Sequence, residues 1–555
     1  MKQQIRQLVI EAVQRAVAAG DLSAQTLPKV EIEVPKIDSH GDFSTNIAMI
    51  MASDQKKAPR IIAQQILDHL EDAETLVAKT DIAGPGFINF FVNIDAWQAV
   101  LRGIHELRDQ YGATDIGKGE KIQIEFVSSN PTGPLHVGHG RGAAVGDSVG
   151  NILNFCGYDI QKEYYINDAG RQIETLGRSV FLRYQALSGK EIAFPDDCYQ
   201  GDYIKDIAAF IKKEHTDQLI DQPDQAAIAL CARIAAGLII AGIRKDLEAF
   251  GVRFDRWYSE QSLYDSGSVD RVIQELQAQN IVYVEDGATW FRTSQYQDEK
   301  DRVIVRKNGQ KTYFASDVAY HLDKYRRGFE RVIDVWGADH HGYIPRMTAS
   351  IEALGYRRDQ FEVILVQLVN LLRGGEPVPM STRAGEFITL KDVVDEVGRD
   401  AARFLFLTRH YESPLDFDLE LAKKKTNDNP VYYVQYVHAR ISSIQRKGRE
   451  RGIGSGVAWQ DISLACLVEP EEIHLIKTMD QFPEVVKKSA VFREPHRITY
   501  YLMSLASAFH SYYNKHRVLA EDPTLTQARL SLVLAIQRII RNGLTLLGVS
   551  APEKM

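Results

Sequence analysis

Residues 122–153 read IQIEFVSSNPTGPLHVGHGRGAAVGDSVGNIL. The stretch begins as an apolar, β-prone run (IQIEFV), passes through a Ser/Asn/Pro/Gly turn and opens a helix near His139. A strand that runs through a loop into a helix is the unit from which parallel sheets are wound. In an open sheet of that kind, ligands bind beyond the carboxyl ends of the strands. A helix N-terminus offers unbonded N–H groups there, and the positive end of its dipole. His136 and His139 stand at this point, with Gly138 between them and Gly140 and Gly142 beyond. Glycines let a nucleotide approach the backbone, and imidazoles can donate to phosphate oxygens that gain charge during attack. By composition, H-x-G-H arises in roughly 3% of chains like this one, and its place between strand and helix makes chance rarer still. A G-x-x-x-x-G-K-[ST] string is absent, which excludes a P-loop NTPase.

Outward from this window, KIQIEFV (121–127), YDIQKEYYI (158–166), RVIDVWGAD (331–339) and FEVILVQLV (361–369) read as buried strands separated by helix-like sequence. The alternation predicts an α/β fold with a doubly wound, Rossmann-type parallel sheet. Between residues 171 and about 290 it lapses into long helical stretches, read as a helical insertion. Residues 1–110 form a separate α+β unit: an amphipathic helix, then VEIEVPKI, GDFSTNIAMIMA and DIAGPGFINFFVN. The glycine-dotted YGATDIGKGE (111–120) reads as a linker into a catalytic unit spanning 111–398. Residues 399–555 read as helical apart from GIGSG (452–456), which predicts an all-α bundle.

Composition narrows the class. Hydrophobic residues at 45% and charged residues at 25% fit a globular protein and exclude collagen-like and disordered chains. No unbroken run of about 18 apolar residues occurs, so no membrane span is expected. The first twenty residues are amphipathic and lack the apolar centre of a signal peptide. Cys156, Cys198, Cys231 and Cys466 lie far apart, which argues against a disulfide framework or structural zinc and fits a reducing cytoplasm. The net charge of −8 argues against indiscriminate nucleic-acid binding. Locally it reverses: between Lys423 and Arg451 stand eight Lys and Arg against Asp428 and Glu450, interleaved with Tyr432, Tyr433 and Tyr436. Cations for phosphate and aromatic faces for unstacked bases suit an RNA loop.

HVGH in this setting resembles the HIGH signature of class I aminoacyl-tRNA synthetases, and EFVSSNPTGPLHVGHGRGAAVGD (125–147) resembles the arginyl-tRNA synthetases in particular. HGDFSTNIAM (40–49), AGPGFINFF (83–91), TYFASDVAYH (312–321), GRDAARFLFL (398–407), YYVQYVHARI (432–441) and LLGVSAPEKM (546–555) follow that family's order over essentially the whole chain. The resemblance implies two steps. Arginine attacks the α-phosphate of ATP to give arginyl-adenylate and pyrophosphate, and the arginyl group then passes to the terminal adenosine of its tRNA.

The resemblance also implies roles. His136 and His139 would sit over the triphosphate, with Gly138 and Gly140 leaving room for the nucleotide. Gly337 would lie beneath adenine and Asp339 near the ribose. PMSTRAG (379–385) takes the place of the family's KMSKS loop. Met380 and Ser381 match it, while Pro379 and Thr382 occupy the lysine positions. Gly133 stands where such enzymes often carry a compensating lysine, so Arg383 is the expected cation, with Arg141 the nearest in the first motif. Asp317, four residues after Tyr313, would bind the substrate guanidinium, with Glu125 as second carboxylate. Ser128 and Asn130 would hold the α-amino and carboxylate groups. Magnesium would arrive with ATP, with no protein-bound metal. Residues 1–110 would reach the tRNA corner, where Phe87 would stack on a base and Asn89 hydrogen-bond it. The bundle would read the anticodon through Tyr433, Gln435 and Arg440. A cytoplasmic monomer that touches no membrane is expected. Two alternatives share these features: another HxGH enzyme, and a synthetase-like RNA-binding protein without catalysis, which the missing loop lysines would suit.

Overall fold

The computed structural model describes residues 1–23, 27–71, 75–378, 388–452 and 459–555. Strand β1 (Lys121–Glu125) leads through a loop to helix α1 (Val137–Phe155) and strand β2 (Asp159–Ile166). Strand β3 (Arg256–Ser259), helix α2 (Tyr313–Arg326), strand β4 (Arg331–Gly337) and strand β5 (Phe361–Val366) complete the central layer. The sheet order is β5-β4-β1-β2-β3, and every neighbouring pair is parallel. The chain winds one way from β1 to β2 and β3, and the other way to β4 and β5. The switch point therefore lies between β1 and β4, and the crevice at their carboxyl ends is where such sheets bind ligands. Helix α1 closes down on the sheet because a Cβ on Gly146 would lie 2.3 Å from Phe126 and one on Gly150 2.7 Å from Lys162.

Three helices, Arg171–Leu187, Asp202–His215 and Asp224–Ala249, fill the gap between β2 and β3. The expected all-helical stretch to 290 ends sooner, because β3 (RWYS) returns to the sheet as an edge strand. Its four residues carry an arginine and a serine and lack the apolar run that marked the other strands. Val282–Glu285 and Ala288–Phe291 then form a hairpin, joined by Arg302–Val305 into a three-stranded sheet. Asp286 and Gly287 both take positive φ, as an Asp-Gly hairpin turn requires. By length and composition Asp224–Ala249 is apolar enough to cross a membrane, although Arg233 interrupts its apolar run. Here the helix packs on Arg171–Leu187 through Gly177, where a Cβ would lie 2.4 Å from the Ile228 carbonyl oxygen.

The N-terminal unit joins helices to a three-stranded antiparallel sheet whose central strand is Phe87–Val92. Its last helix, Ile94–Leu107, meets the C-terminal helices, and His105 Nε2 lies 3.0 Å from the Ser531 carbonyl oxygen. Those helices include α3 (Arg399–Phe406), α4 (Pro430–Glu450), α5 (His496–Lys515) and α6 (Pro523–Leu546). Most of GIGSG lies outside the described residues.

Candidate functional site

His136 is the N-cap of α1, and its Nδ1 accepts from the Gly138 N–H at 3.1 Å. His139 Nδ1 accepts in turn from the His136 N–H at 3.2 Å, and the two rings stack with centroids 3.7 Å apart. An Nδ1 that accepts leaves the proton of a neutral imidazole on Nε2. Burial lowers both histidines, and burial together with His136 takes His139 down to about 3. Both rings are therefore neutral near pH 7. A Cβ on Gly138 would lie 2.9 Å from the His136 ring, so this position needs glycine. Gly140 serves differently from expectation. Its missing side chain faces the interior, where a Cβ would lie 2.6 Å from Leu390 Cδ1, so its smallness seats α1 against its neighbours. Arg141 is also turned inward: it is fully buried and donates to the carbonyls of Gln367 at 2.9 Å and His410 at 3.0 Å. Met380, Ser381 and Arg383 lie outside the described residues. Just after them, Thr389 bridges to His136, and the Leu390 N–H donates to the Leu135 carbonyl at 2.8 Å.

Beyond β1 the backbone is strained. Val127 has φ 68° and Ser128 φ 37°. A β-branched residue in the left-handed region is held there only by its surroundings. Those are identifiable: Ser128 Oγ accepts from the Tyr165 N–H at 3.1 Å, and its carbonyl accepts from Asn167 Nδ2 at 3.1 Å. Asn130 is exposed on the same loop. A Cβ on Gly133 would lie 3.2 Å from the Tyr203 hydroxyl, so a longer side chain there would have to displace a tyrosine of the helical insertion.

Glu163, Glu125 and Asp334 are register partners across β2, β1 and β4, which places three buried carboxylates side by side. Like charges so placed need cations, and α2 brings them. Lys324 Nζ lies 2.6 Å from Glu125 and 2.9 Å from Asp334, and His321 Nε2 lies 2.8 Å from Asp334. Arg327 meets Glu163, which also accepts from the Tyr320 hydroxyl at 2.6 Å. Burial pushes Asp334 up, but Lys324 and His321 outweigh it and hold it at about 2. Glu125, read as a guanidinium partner, already holds a buried lysine.

Two other carboxylates stand near this row. Asp317 is half-buried and accepts from the Tyr343 hydroxyl. Glu260, at the end of β3, is 3% exposed and accepts from Ser316 Oγ at 2.9 Å. Burial pushes Glu260 up to about 7, the Ser316 hydrogen bond opposing it and Asp317 adding to it. The Tyr165 hydroxyl is buried and, among the described residues, has no hydrogen-bond partner. Burial raises it well above its usual range, and the nearby Glu260, Asp317 and Glu125 add to the shift. Tyr313 opens α2 and is exposed. Gly337 closes β4, where a Cβ would lie 2.5 Å from Asp339, and the Asp339 side chain is exposed. Sequence reading missed Glu260, because the strand before it was read as helix. It missed Lys324, because only the fold brings that residue to Glu125.

On the RNA side, Phe87 is exposed at the start of its strand, but Asn89 is 3% exposed, held between the flanking strands. On α4, Tyr433 is half-buried against His510, and Arg440 lies over the Tyr513 ring. Tyr432 and Tyr436 share this half-exposed side and, with Tyr433, His510 and Lys425, line a cavity of about 470 Å3. Gln435, expected at the surface, is buried and donates to Asp400 at 2.9 Å and the Ser550 carbonyl at 2.8 Å. The core register of α4 runs through Val434, Gln435 and His438, one step away from the tyrosines.

Three family descriptions match successive parts of the chain: the arginyl-tRNA synthetase N-terminal domain over residues 3–92, the class I (R) tRNA synthetase catalytic domain over 104–413, and the DALR anticodon-binding domain over 434–555. The arginine–tRNA ligase of Desulfosudis oleivorans is 58% identical over the full length of both chains. That of Geobacter sp. strain M21 is 53% identical, again with full coverage of both. The solved structure of Thermus thermophilus arginyl-tRNA synthetase shares the fold at a TM-score of 0.77 and 22% identity, covering 100% of each chain.

Proposed function

Because the chain belongs to the arginyl-tRNA synthetase family and carries out ATP-dependent ligation of arginine to its tRNA, we propose a division of labour among its residues. The observation that carries it is the stacked pair His136 and His139 at the N-terminus of α1, above the switch point of the sheet. Two neutral rings, each protonated on Nε2, and the helix N-terminus supply donors for the triphosphate without a buried charge to desolvate. The arginine carboxylate attacks the α-phosphorus, a new P–O bond forms, and pyrophosphate leaves with the electrons of the broken one. The 2′-hydroxyl of the terminal adenosine then attacks the arginyl carbonyl, and AMP leaves.

The guanidinium goes to Asp317 and Glu260, two carboxylates near the site that form no ion pair among the described residues, with Tyr313 at the entrance. Glu125 acts one step removed, anchoring Lys324 beneath that pocket. Ser128 and Asn130 hold the α-amino and carboxylate groups, and the strained turn at Val127 and Ser128 sets their direction. Gly337 and Asp339 take the adenosine. Met380, Ser381 and Arg383 serve pyrophosphate. Mg2+ enters on ATP. Phe87, Tyr433 and Arg440 contact tRNA through residues 1–110 and 399–555, around a catalytic unit at 111–398. The enzyme works as a cytoplasmic monomer.

ATP–pyrophosphate exchange across the twenty amino acids, with and without tRNA, tests this reading. The expected result is exchange with arginine alone, reduced by at least tenfold in His139→Asn. Exchange unaltered in that variant would remove the histidine pair from the chemistry.

A further inference from the structure

On the far side of α4, a cleft of about 550 Å3 opens between α4, α6, the end of helix Ile94–Leu107 and residues 551–553. At about 3.6 residues per turn, its lining residues His438, Ser442, Arg446 and Arg449 lie roughly opposite Tyr433, Tyr436 and Arg440. Arg446 and Arg449 are three apart on α4, and Arg538 and Arg541 are three apart on α6. Two same-face pairs on packed helices therefore look into one space. Glu553 is the single acid among the lining residues, and Asp109, outside the cleft, pairs with Arg541. Among the described residues, Arg446, Arg449 and Arg538 form no ion pair. Arg538 also keeps a buried Nη1 without any hydrogen-bond partner. Neutral donors line the same space, including Gln445 and Gln537, whose Nε2 already donates to Ser442 Oγ at 2.6 Å.

Four guanidiniums gathered with one lining carboxylate repel one another, and a buried unbonded guanidinium nitrogen is costly. An arrangement of planar forks is what several phosphoryl oxygens satisfy together. The cleft is walled by four separate segments of the chain, and it has the volume of a small-ligand site. A duplex meets a broad surface instead, which favours a small ligand over RNA.

We propose that this cleft is a binding site for a small oligophosphate anion, separate from the catalytic centre and from the tyrosine face of α4. Bound there, the anion ties helix Ile94–Leu107 to α4 and α6, so the N-terminal unit and the bundle are held together more firmly with it than without it.

Inorganic tripolyphosphate, titrated calorimetrically into the full chain, tests the proposal. The variants are Arg538→Gln, which removes the half-buried cation, and Arg446→Gln/Arg449→Gln, whose exposed positions leave the fold intact. The expected result is a saturable site that weakens at least tenfold in either variant and persists in His139→Asn. The thermal midpoint of the wild-type protein should rise with tripolyphosphate. Aminoacylation without tripolyphosphate and the Kd for tRNA should stay within twofold of wild type in Arg538→Gln. Equal tripolyphosphate binding by wild type and the arginine variants would overturn the proposal. So would displacement by sulfate at matched ionic strength, which would mean general anion screening. A tRNA Kd weakened more than fivefold in the double variant, with no saturable tripolyphosphate site in wild type, would assign the cleft to the RNA backbone instead.

Discussion

Across β2, β1 and β4 three carboxylates lie abreast, and each is met by a cation from α2; at the seam of α4 and α6, four arginines share a cleft with Glu553 alone. The first cluster is buried and internally neutralised, so removing any member strands a charge in a place water cannot reach. The second is open at its edge, and its spare charge is tolerable because solvent and counter-ions screen it. The same residue types thus serve shape in one region and ligand capture in the other. What separates the two is whether partners arrive from the chain itself.

The comparison breaks most visibly at Lys324. Lys324→Met leaves Glu125 and Asp334 facing each other without their shared cation, and a loss of about 3–5 kcal/mol is expected. Urea unfolding of the variant measures it, and a loss below about 1 kcal/mol would show that the row is not held by charge. Next comes Asp317, which stands beside the network without belonging to it. Asp317→Asn should lower kcat/KM for arginine roughly 10- to 100-fold in pyrophosphate exchange, while the KM for ATP stays constant.

Glu260 gives the pH signature. Its folded carboxyl titrates near 7, above the usual carboxylate range, because of burial. A bound guanidinium favours the ionised form, so the KM for arginine should rise as pH falls below about 7 and level off above it. Glu260→Gln should flatten that profile. For the unliganded protein the sign is reversed. The raised carboxyl binds its proton more tightly when folded, so this group's contribution to stability declines as pH rises from the ordinary carboxylate range through about 7. The smallest effect belongs to the exposed pair of Arg541 and Asp109, with side chains 46% and 69% exposed. Asp109→Ala should shift the unfolding free energy by less than about 1 kcal/mol.

The parts of this molecule that could be read from sequence are those whose signals are local. Four of the five sheet strands announced themselves as apolar runs, and the histidine pair sits within one continuous strand–loop–helix unit. β3 did not, since a four-residue edge strand with one face to solvent needs little apolar sequence. The Asp286–Gly287 turn was a readable hairpin signal in a region read as helical. Contacts that depend on the fold stayed hidden: Lys324 and Glu125 are 199 residues apart. Single-residue readings on helices and strands failed where a one-step register shift decided them, as at Gln435, or where a neighbouring strand covered the side chain, as at Asn89. Gly140 shows that a glycine beside a ligand site can answer to the core behind it.

Helix α1 carries the histidines at one end and is fastened along its length to residues far away. Ser148 Oγ donates to the Leu547 carbonyl at 3.4 Å and Asn151 Nδ2 to that of Leu546 at 3.3 Å, while Asp147 pairs with Arg403, whose Nε also holds Leu547 at 3.0 Å. With 19 residues the helix is a rod about 28 Å long. It acts as a tie-beam between the nucleotide crevice and the last helix of the bundle. A chain stopped before residue 546 would lack the carbonyls that fasten this beam, and the lesion would be felt at a motif that precedes it by some four hundred residues.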